Sequence, residues 1–381
     1  MISAASCRAP QPASGAGLRV EHIHHRYDLG DGRGFSLEDV SLQVPPGAVH
    51  CLLGPSGSGK STVLRLIAGL ERARAGIVAL DDQELSGPDR FVPPERRSMG
   101  LMFQDVALFP HMTVARNVGF GLRTPDARVR ERRVGELLAL VGLAGHAAKF
   151  PHELSGGEQQ RAALARALAA SPRAVLLDEA FSALDPSLRA EVRASVLTIL
   201  RHAGIPVLMV THDPDEAIAE ADRIHVIEDG RITQSGTVGQ LYRMPETRFV
   251  AGFFGPVLRF CGSPEQGCLA TPIGPIPIEG DTQSDVEVIL RTRDLTPVAL
   301  GKSPWRATVL ACRDLGDRCR VELAAKGNRL GDIHVPGEVA HRVGGEIGLA
   351  FAPESLFVFP DPAVLNGSRK GGIVPAPNLQ E

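Results

Sequence analysis

The sequence predicts two successive folds: a doubly wound α/β domain built on a parallel sheet, then a small all-β domain. Three observations carry this. From Ala48 to Val210 short apolar segments alternate with helical patterns, as strands and crossover helices do in a parallel sheet. Between one such segment and one such helix lies Gly54-Pro55-Ser56-Gly57-Ser58-Gly59-Lys60-Ser61-Thr62, which matches a phosphate-binding loop at every fixed position. Past about Phe254 helical periodicity stops, Gly and Pro become frequent, and short alternating segments follow at even spacing, the pattern of a small β-barrel. A chain of 381 residues is long enough for two domains, and 43% hydrophobic residues can fill a core in each.

In chain order, residues 1–17 are small and rich in Pro and Ala, and read as a disordered tail. Residues 18–27 alternate apolar and polar side chains, a half-buried strand. A turn-rich insertion at 28–34 leads to a second strand at 37–44, and Pro45-Pro46-Gly47 turns the chain. Residues 48–53 enter the glycine-rich loop as an apolar strand, and 62–70 leave it as an apolar-striped helix. A strand, a tight turn and a helix N-terminus aim several backbone N–H groups and the positive end of the helix dipole at one point. The glycines let the backbone approach a phosphate, Lys60 offers a charge to the β/γ oxygens, and Ser61 can ligate Mg²⁺. The loop therefore predicts a bound nucleoside triphosphate.

Residues 76–80 with the turn Asp81-Asp82 read as a strand and hairpin, and 99–104 as a buried strand ending at Gln104. From 113 to 148 the periodicity is helical, with residues 128–133 a charged, exposed face. Phe150-Pro151-His152-Glu153 interrupts it, and Ser155-Gly156-Gly157 opens an Ala/Leu-rich helix over 158–170. Ser155 is a hydroxyl N-cap, and the two glycines expose the helix start, a second anion site. The apolar strand 174–177 runs into Asp178-Glu179. Beside a phosphate loop, a carboxylate at a buried strand end is placed to hold Mg²⁺ through water, and Glu179 to orient or deprotonate an attacking water. A helix from 186 to about 203 leads to the strand 206–210 and then Thr211-His212-Asp213. In the C-terminal part, 285–290, 307–311 and 320–323 read as strands, and 371–381 as a frayed end.

Other features exclude function classes. A net charge of −3 gives no electrostatic reason to expect nucleic acid. No apolar run reaches membrane-span length, and the first residues lack the apolar segment of a signal peptide, so the chain is expected in the cytoplasm. Six Cys in this length read as reduced thiols, and the pairs Cys261/Cys268 and Cys312/Cys319 as packing. His22, His24 and His25 lack a carboxylate or Cys at ligand spacing and read as a solvated strand face.

Taken together, these motifs resemble the nucleotide-binding subunits of ABC transporters over nearly the whole chain from about Leu18. The resemblance implies a P-loop NTPase with a RecA-like core, an antiparallel β subdomain and a helical signature subdomain at about 105–160, all within 18–253. Residues 254–381 resemble a TOBE-type, OB-like regulatory domain. Gly54 to Thr62 correspond to the Walker A loop, and Asp178 and Glu179 to the end of Walker B with its catalytic glutamate. Leu154-Ser155-Gly156-Gly157-Glu158-Gln159-Gln160-Arg161 corresponds to the signature motif. Gln104 falls at the Q-loop, Ser182-Ala183-Leu184-Asp185 at the D-loop and His212 at the switch histidine, while Tyr27 fits the aromatic residue that stacks on adenine. The resemblance implies ATP contacts from Tyr27, the loop, Ser155, Gly156, Gly157, Gln159 and Asp185. It implies catalytic roles for Glu179, His212 and Gln104, and Mg²⁺ held by Ser61, Gln104 and Asp178. One departure is Ala180, where the family usually has Pro.

In such proteins each ATP lies between Walker A of one subunit and the signature of a second copy, and one chain cannot complete a site alone. The helical insert docks on membrane-embedded permease subunits at the cytoplasmic face, and a solute-binding protein acts indirectly. Residues 103–114 and the β extension resemble importers of ferric iron, polyamines, sulfate and sugars; 150–166 and 178–189 are nearest the ferric-iron importers. A soluble ABC-type ATPase acting as a mechanical switch is the alternative, but it usually carries two cassettes or long basic inserts. A phosphotransferase would leave Leu154 to Arg161 unexplained.

Overall fold

The computed structural model describes residues 17–27, 35–102, 108–122, 124–181, 186–278, 284–316, 318–336 and 343–360. The chain divides into two compact units, 1–238 and 239–381.

In the first unit β1 (Leu18–Arg26) and β2 (Ser36–Val44) pair antiparallel, with Leu18 opposite Val44. β3 (Val49–Leu53) is buried at all five positions. The loop then leads into α1 (Lys60–Ala68), followed by β4 (Ala75–Leu80) and β5 (Gln83–Ser86), which complete an antiparallel sheet in the order β2-β1-β4-β5. β6 (Met99–Met102) precedes a helical stretch of α2 (Val114–Gly119), α3 (Ala127–Leu140) and α4 (Gly156–Ala169). The continuous periodicity of 113–148 resolves into separate helices: Pro125 precedes the Asp126 cap of α3, and Gly142 turns the chain at φ +67. β7 (Ala174–Asp178), α5 (Pro186–His202), β8 (Val207–Thr211), α6 (Pro214–Glu220), β9 (Arg223–Glu228) and β10 (Arg231–Gly236) follow. The second sheet runs β10-β9-β3-β8-β7-β6, parallel throughout except for the antiparallel edge strand β10.

β3, β7 and β8 carry continuous buried runs because both faces of a parallel sheet are covered. The main core joins α1 to both sheets. Val63, Leu64, Leu66 and Ile67 of α1 share one buried cluster with Leu18, Val20 and Ile23 of the antiparallel sheet and Leu52, Leu176 and Leu208 of the parallel one. Each such side chain contributes about 1.5–3 kcal/mol on burial. The C-terminal end of α1 is also fixed. Gly69 takes φ +79, and buried Arg97 donates to the carbonyls of Leu66 at 3.1 Å and Ile67 at 2.7 Å. A helix held along its length and at its end is a rigid mount for its first residues, Lys60 and Ser61.

The division falls after the first residue of α7 (Val238–Arg243); the rest of α7 and α8 (Arg248–Phe253) belong to the second unit, whereas the sequence places residues up to 253 in the first domain. All-β structure follows. β11 (Val257–Gly262), the hairpin β12 (Cys268–Thr271) and β13 (Gly274–Pro277), and β14 (Val286–Arg291) come first. Then come β15 (Thr296–Val298), β16 (Trp305–Asp314), β17 (Arg318–Ala325), β18 (Asn328–Pro336), β19 (Glu346–Ala350) and β20 (Leu356–Pro360). Sheets β11-β14-β20 and β15-β19-β16-β17-β18 share one apolar core with the hairpin, in keeping with the OB-like expectation. Ala251 of α8 packs on Ile289 and Phe357, and buried Arg291 donates to the carbonyls of Ala251 at 2.9 Å and Tyr242 at 2.7 Å. Among the described residues no helix is long and apolar enough to cross a membrane.

Candidate active site

Three neighbouring strands of the parallel sheet end together. β3 gives way to the loop, β7 ends at Asp178, and β8 runs into His212; the register sets Leu53 beside Thr211 and Asp178 beside Val210. The carboxyl edge of an open parallel sheet is where ligands bind.

The loop owes its path to glycine. Gly57 and Gly59 take φ +80 and +102, and a Cβ on Gly59 would lie 2.5 Å from the Phe35 ring. Buried Lys60 folds its ammonium onto the carbonyls of Gly54 at 2.8 Å and Pro55 at 2.7 Å. Burial lowers its pKa, while the charges of Glu179 and Asp178 act in the opposite sense. The buried Ser58 hydroxyl has no hydrogen-bond partner among the described residues. A fixed ammonium, an unpartnered hydroxyl and the start of α1 together make a cradle for phosphate oxygens.

Opposite the loop, the buried Asp178 carboxylate accepts a hydrogen bond from Ser61, yet burial outweighs that bond and raises its pKa. Glu179 takes φ +48. For a residue with a side chain the left-handed region costs about 1–3 kcal/mol and persists only when the surroundings hold it. Here they do. The Glu179 N–H donates to the Val210 carbonyl at 3.0 Å, its carbonyl accepts from Gln160 Nε2 at 3.3 Å, and its Oε1 lies 2.8 Å from His212 Nδ1. The turn bearing His212 is itself tied. The Thr211 hydroxyl donates to Glu216 at 2.5 Å and accepts the Asp213 N–H at 3.0 Å, and Asp213 caps α6.

Apart from this cluster stands the start of α4. Ser155 caps it in a reciprocal box: its hydroxyl accepts the Glu158 N–H at 3.4 Å, while its own N–H and hydroxyl each lie 2.8 Å from Glu158 Oε2 as donors. Glu158 is also 3.0 Å from His146, and its hydrogen bonds from the backbone and hydroxyl of Ser155 lower its pKa. Ser155 and Gly156 are exposed, and a Cβ on Gly156 would meet nothing within 4 Å. The chain's own packing therefore does not demand glycine there.

Over 297 residues the chain is 41% identical to the Fe(3+) ions import ATP-binding protein FbpC of Pseudomonas fluorescens, a match covering 77% of this chain and 84% of that protein. Residues 37–182 match the ABC transporter family. The chain belongs to the ABC transporter family. It is an ABC ATPase, an enzyme that binds and hydrolyses ATP. Another ABC relative, the sulfate/thiosulfate import ATP-binding protein CysA of Xanthomonas campestris pv. campestris, is 38% identical over 90% of this chain and 99% of its own length. Among solved structures, the ATP-binding cassette MJ0796, a dimer in a post-hydrolysis state bound to ADP and Pi, is 30% identical. That match has a TM-score of 0.54 and covers 58% of this chain and 98% of that one.

Within this ABC cassette the loop residues, Asp178, Glu179 and His212 come together at one sheet edge. Tyr27 closes β1, where its ring meets His25 edge-on at 4.8 Å and its hydroxyl donates to Glu71. Burial, then that bond, raises its pKa. Gln159 turns its amide back to the carbonyls of Pro151 at 3.0 Å and Leu154 at 3.3 Å, inside its own chain. Gln104 and Asp185 lie outside the described residues. Sequence reasoning gave no role to Gln160, Glu71 or Arg97. Gln160 was visible in the sequence only as a member of the motif from Leu154 to Arg161.

Proposed function

We propose that this chain is the energy-coupling ATPase of a bacterial importer, acting as a head-to-tail homodimer on membrane-embedded permease subunits at the cytoplasmic face. Ferric iron is the proposed solute, delivered by a separate solute-binding protein. The observation that carries the dimer is the pairing of a built phosphate cradle with an exposed signature helix whose Gly156 faces open space. The name of the Pseudomonas fluorescens relative and the likeness of 150–166 to ferric-iron importers support the solute.

In this reading Lys60 and the loop amides hold the β/γ phosphates, and Ser155 with Gly156 and Gly157 of the second copy close over the γ-phosphate. Glu179 orients the attacking water and accepts its proton, and the water oxygen bonds to the γ-phosphorus as the bridging oxygen leaves. His212 holds the Glu179 carboxylate toward that water. Ser61 and Asp178 are hard oxygen donors already joined by a hydrogen bond, and a buried carboxylate gains from a cation, so the pair fits Mg²⁺. When bound, the ion neutralises charge on the phosphates.

The test is a mixed dimer of Lys60→Ala with Ser155→Arg. Each variant alone damages both sites and should be nearly inactive. A head-to-tail mixture gathers both lesions in one site and leaves the other whole, so ATP binding should return at that site. A verified mixed dimer that binds no more ATP than the single variants would sink the arrangement. For the solute, a deletion strain should lose uptake of labelled ferric iron and retain uptake of sulfate and putrescine; the reverse pattern would displace iron.

A further inference from the structure

The signature helix α4 reaches two places at once. Its first residues form the exposed cap at Ser155, while Gln160, one turn further on, is only 1% exposed and donates from Nε2 to the Glu179 carbonyl at 3.3 Å. Between them, Gln159 binds the carbonyls of Pro151 and Leu154, fastening the loop that carries Ser155. Two adjacent glutamines thus tie one helix end to both the signature loop and the catalytic glutamate.

We propose that Gln160 is a positioning residue for Glu179, coupling the placement of the signature helix to the angle of the catalytic carboxylate within one chain. The proposal rests on reading Glu179 as the water-orienting group. Glu179 holds a left-handed backbone with its N–H fixed by β8, its carbonyl by α4 and its carboxylate by His212. β8 belongs to the rigid parallel sheet, and the His212 bond acts at the tip of a side chain. The Gln160 bond is the anchor on the Glu179 peptide that comes from the helix whose N-terminus meets the second copy. A shift of α4 when its cap engages a phosphate therefore moves the Glu179 carbonyl, and the carboxylate with it. Charge at the signature of one chain reports in this way to hydrolysis at that chain's own loop.

The experiment uses the full chain with ATP and Mg²⁺. Gln160→Leu removes the donor and keeps the bulk, and Gln160→Glu keeps the shape but sets an acceptor against the Glu179 carbonyl. Misplacing a catalytic group by about an ångström costs on the order of 10²-fold, so kcat should fall roughly 10- to 100-fold in both variants. KM and Kd for ATP should stay within about twofold, and an ATP-bound dimer should accumulate on size exclusion, as with Glu179→Gln. A residue that only fills the core would lower ATP affinity and folded fraction together with turnover. If Gln160→Leu does not fold, Gln160→Glu decides. Turnover within twofold of wild type, parallel loss of ATP binding, or unfolding of both variants by circular dichroism overturns the proposal. Normal hydrolysis by Glu179→Gln would instead remove the reading of Glu179 beneath it.

Discussion

Under the proposed function Glu179 is the residue on which the chemistry turns, and its surroundings set what each substitution should do. Glu179→Gln keeps the shape but cannot accept a proton, so ATP binding should persist while steady-state phosphate release nearly stops. His212→Ala removes the 2.8 Å partner of Oε1 and should slow turnover by roughly 10²-fold with ATP affinity little changed. A loss below about threefold would return His212 to an ordinary strand-end histidine. Candidates for these roles could be named from the sequence because motif spacing is a local property. Their restraints were not. The positive φ of Glu179 and its bonds to Gln160 and Val210 arise from elements that are distant in the chain and adjacent in the fold. Ala180 lacks the restriction that a following proline would place on the backbone of residue 179.

Strands and helices were the most legible level. Runs such as Val-Leu-Met-Val-Thr can be buried on both faces only inside a parallel sheet, and β8 is buried at every position. The helical stretch after residue 113 was legible as a type but not in its breaks, which Pro125 and Gly142 impose locally. Pairing between strands was hidden, and it places two histidines together. His50 on β3 and His225 on β9 are both buried, with His50 Nδ1 3.0 Å from His225 Nε2 and His225 Nδ1 2.8 Å from the Ser235 hydroxyl. Burial is the leading cause in both, pulling His50 down to about 4 and His225 to about 3. The folded state thus keeps both neutral, while the unfolded chain takes up protons below its ordinary value near 6.5. Stability should therefore be level above that value and fall as pH drops toward 4. The loss is on the order of 1–2 kcal/mol per histidine between pH 7 and pH 5. Urea melts across this range check it. The double substitution His50→Gln/His225→Gln keeps hydrogen-bonding atoms without a titrating ring and should flatten the acid limb; an unchanged slope would assign acid sensitivity elsewhere.

At the scale of the whole molecule the change in texture near Phe254 signalled a second domain, because alternation of period two replaces helical spacing there. Where the compact units part was not legible, since α7 and α8 have the same helical pattern as the elements before them. The contacts that place them are long-range: Arg291 of β14 donates to Tyr242 and Ala251, and its guanidinium lies 4.2 Å from the centre of the Tyr242 ring and 4.5 Å from that of Phe357. This predicts different fates for two truncations. A chain ending at Val238 keeps Gly54 to Thr62, Ser155, Glu179 and His212 and stops at the unit boundary. One ending at Phe254 retains the same motifs and also α8, whose Val250, Ala251 and Phe253 are buried in the full chain, as is Phe254 after it. Without β14 and β20, Ala251 loses the Ile289 and Phe357 side chains packed on it. Exposed apolar clusters of this kind drive association. The piece ending at Val238 should be soluble and hydrolyse ATP, and the piece ending at Phe254 should bind more hydrophobic dye and sediment as larger species. A soluble, active piece ending at Phe254 beside an insoluble one ending at Val238 would reverse the assignment and give α7 and α8 to the ATPase unit.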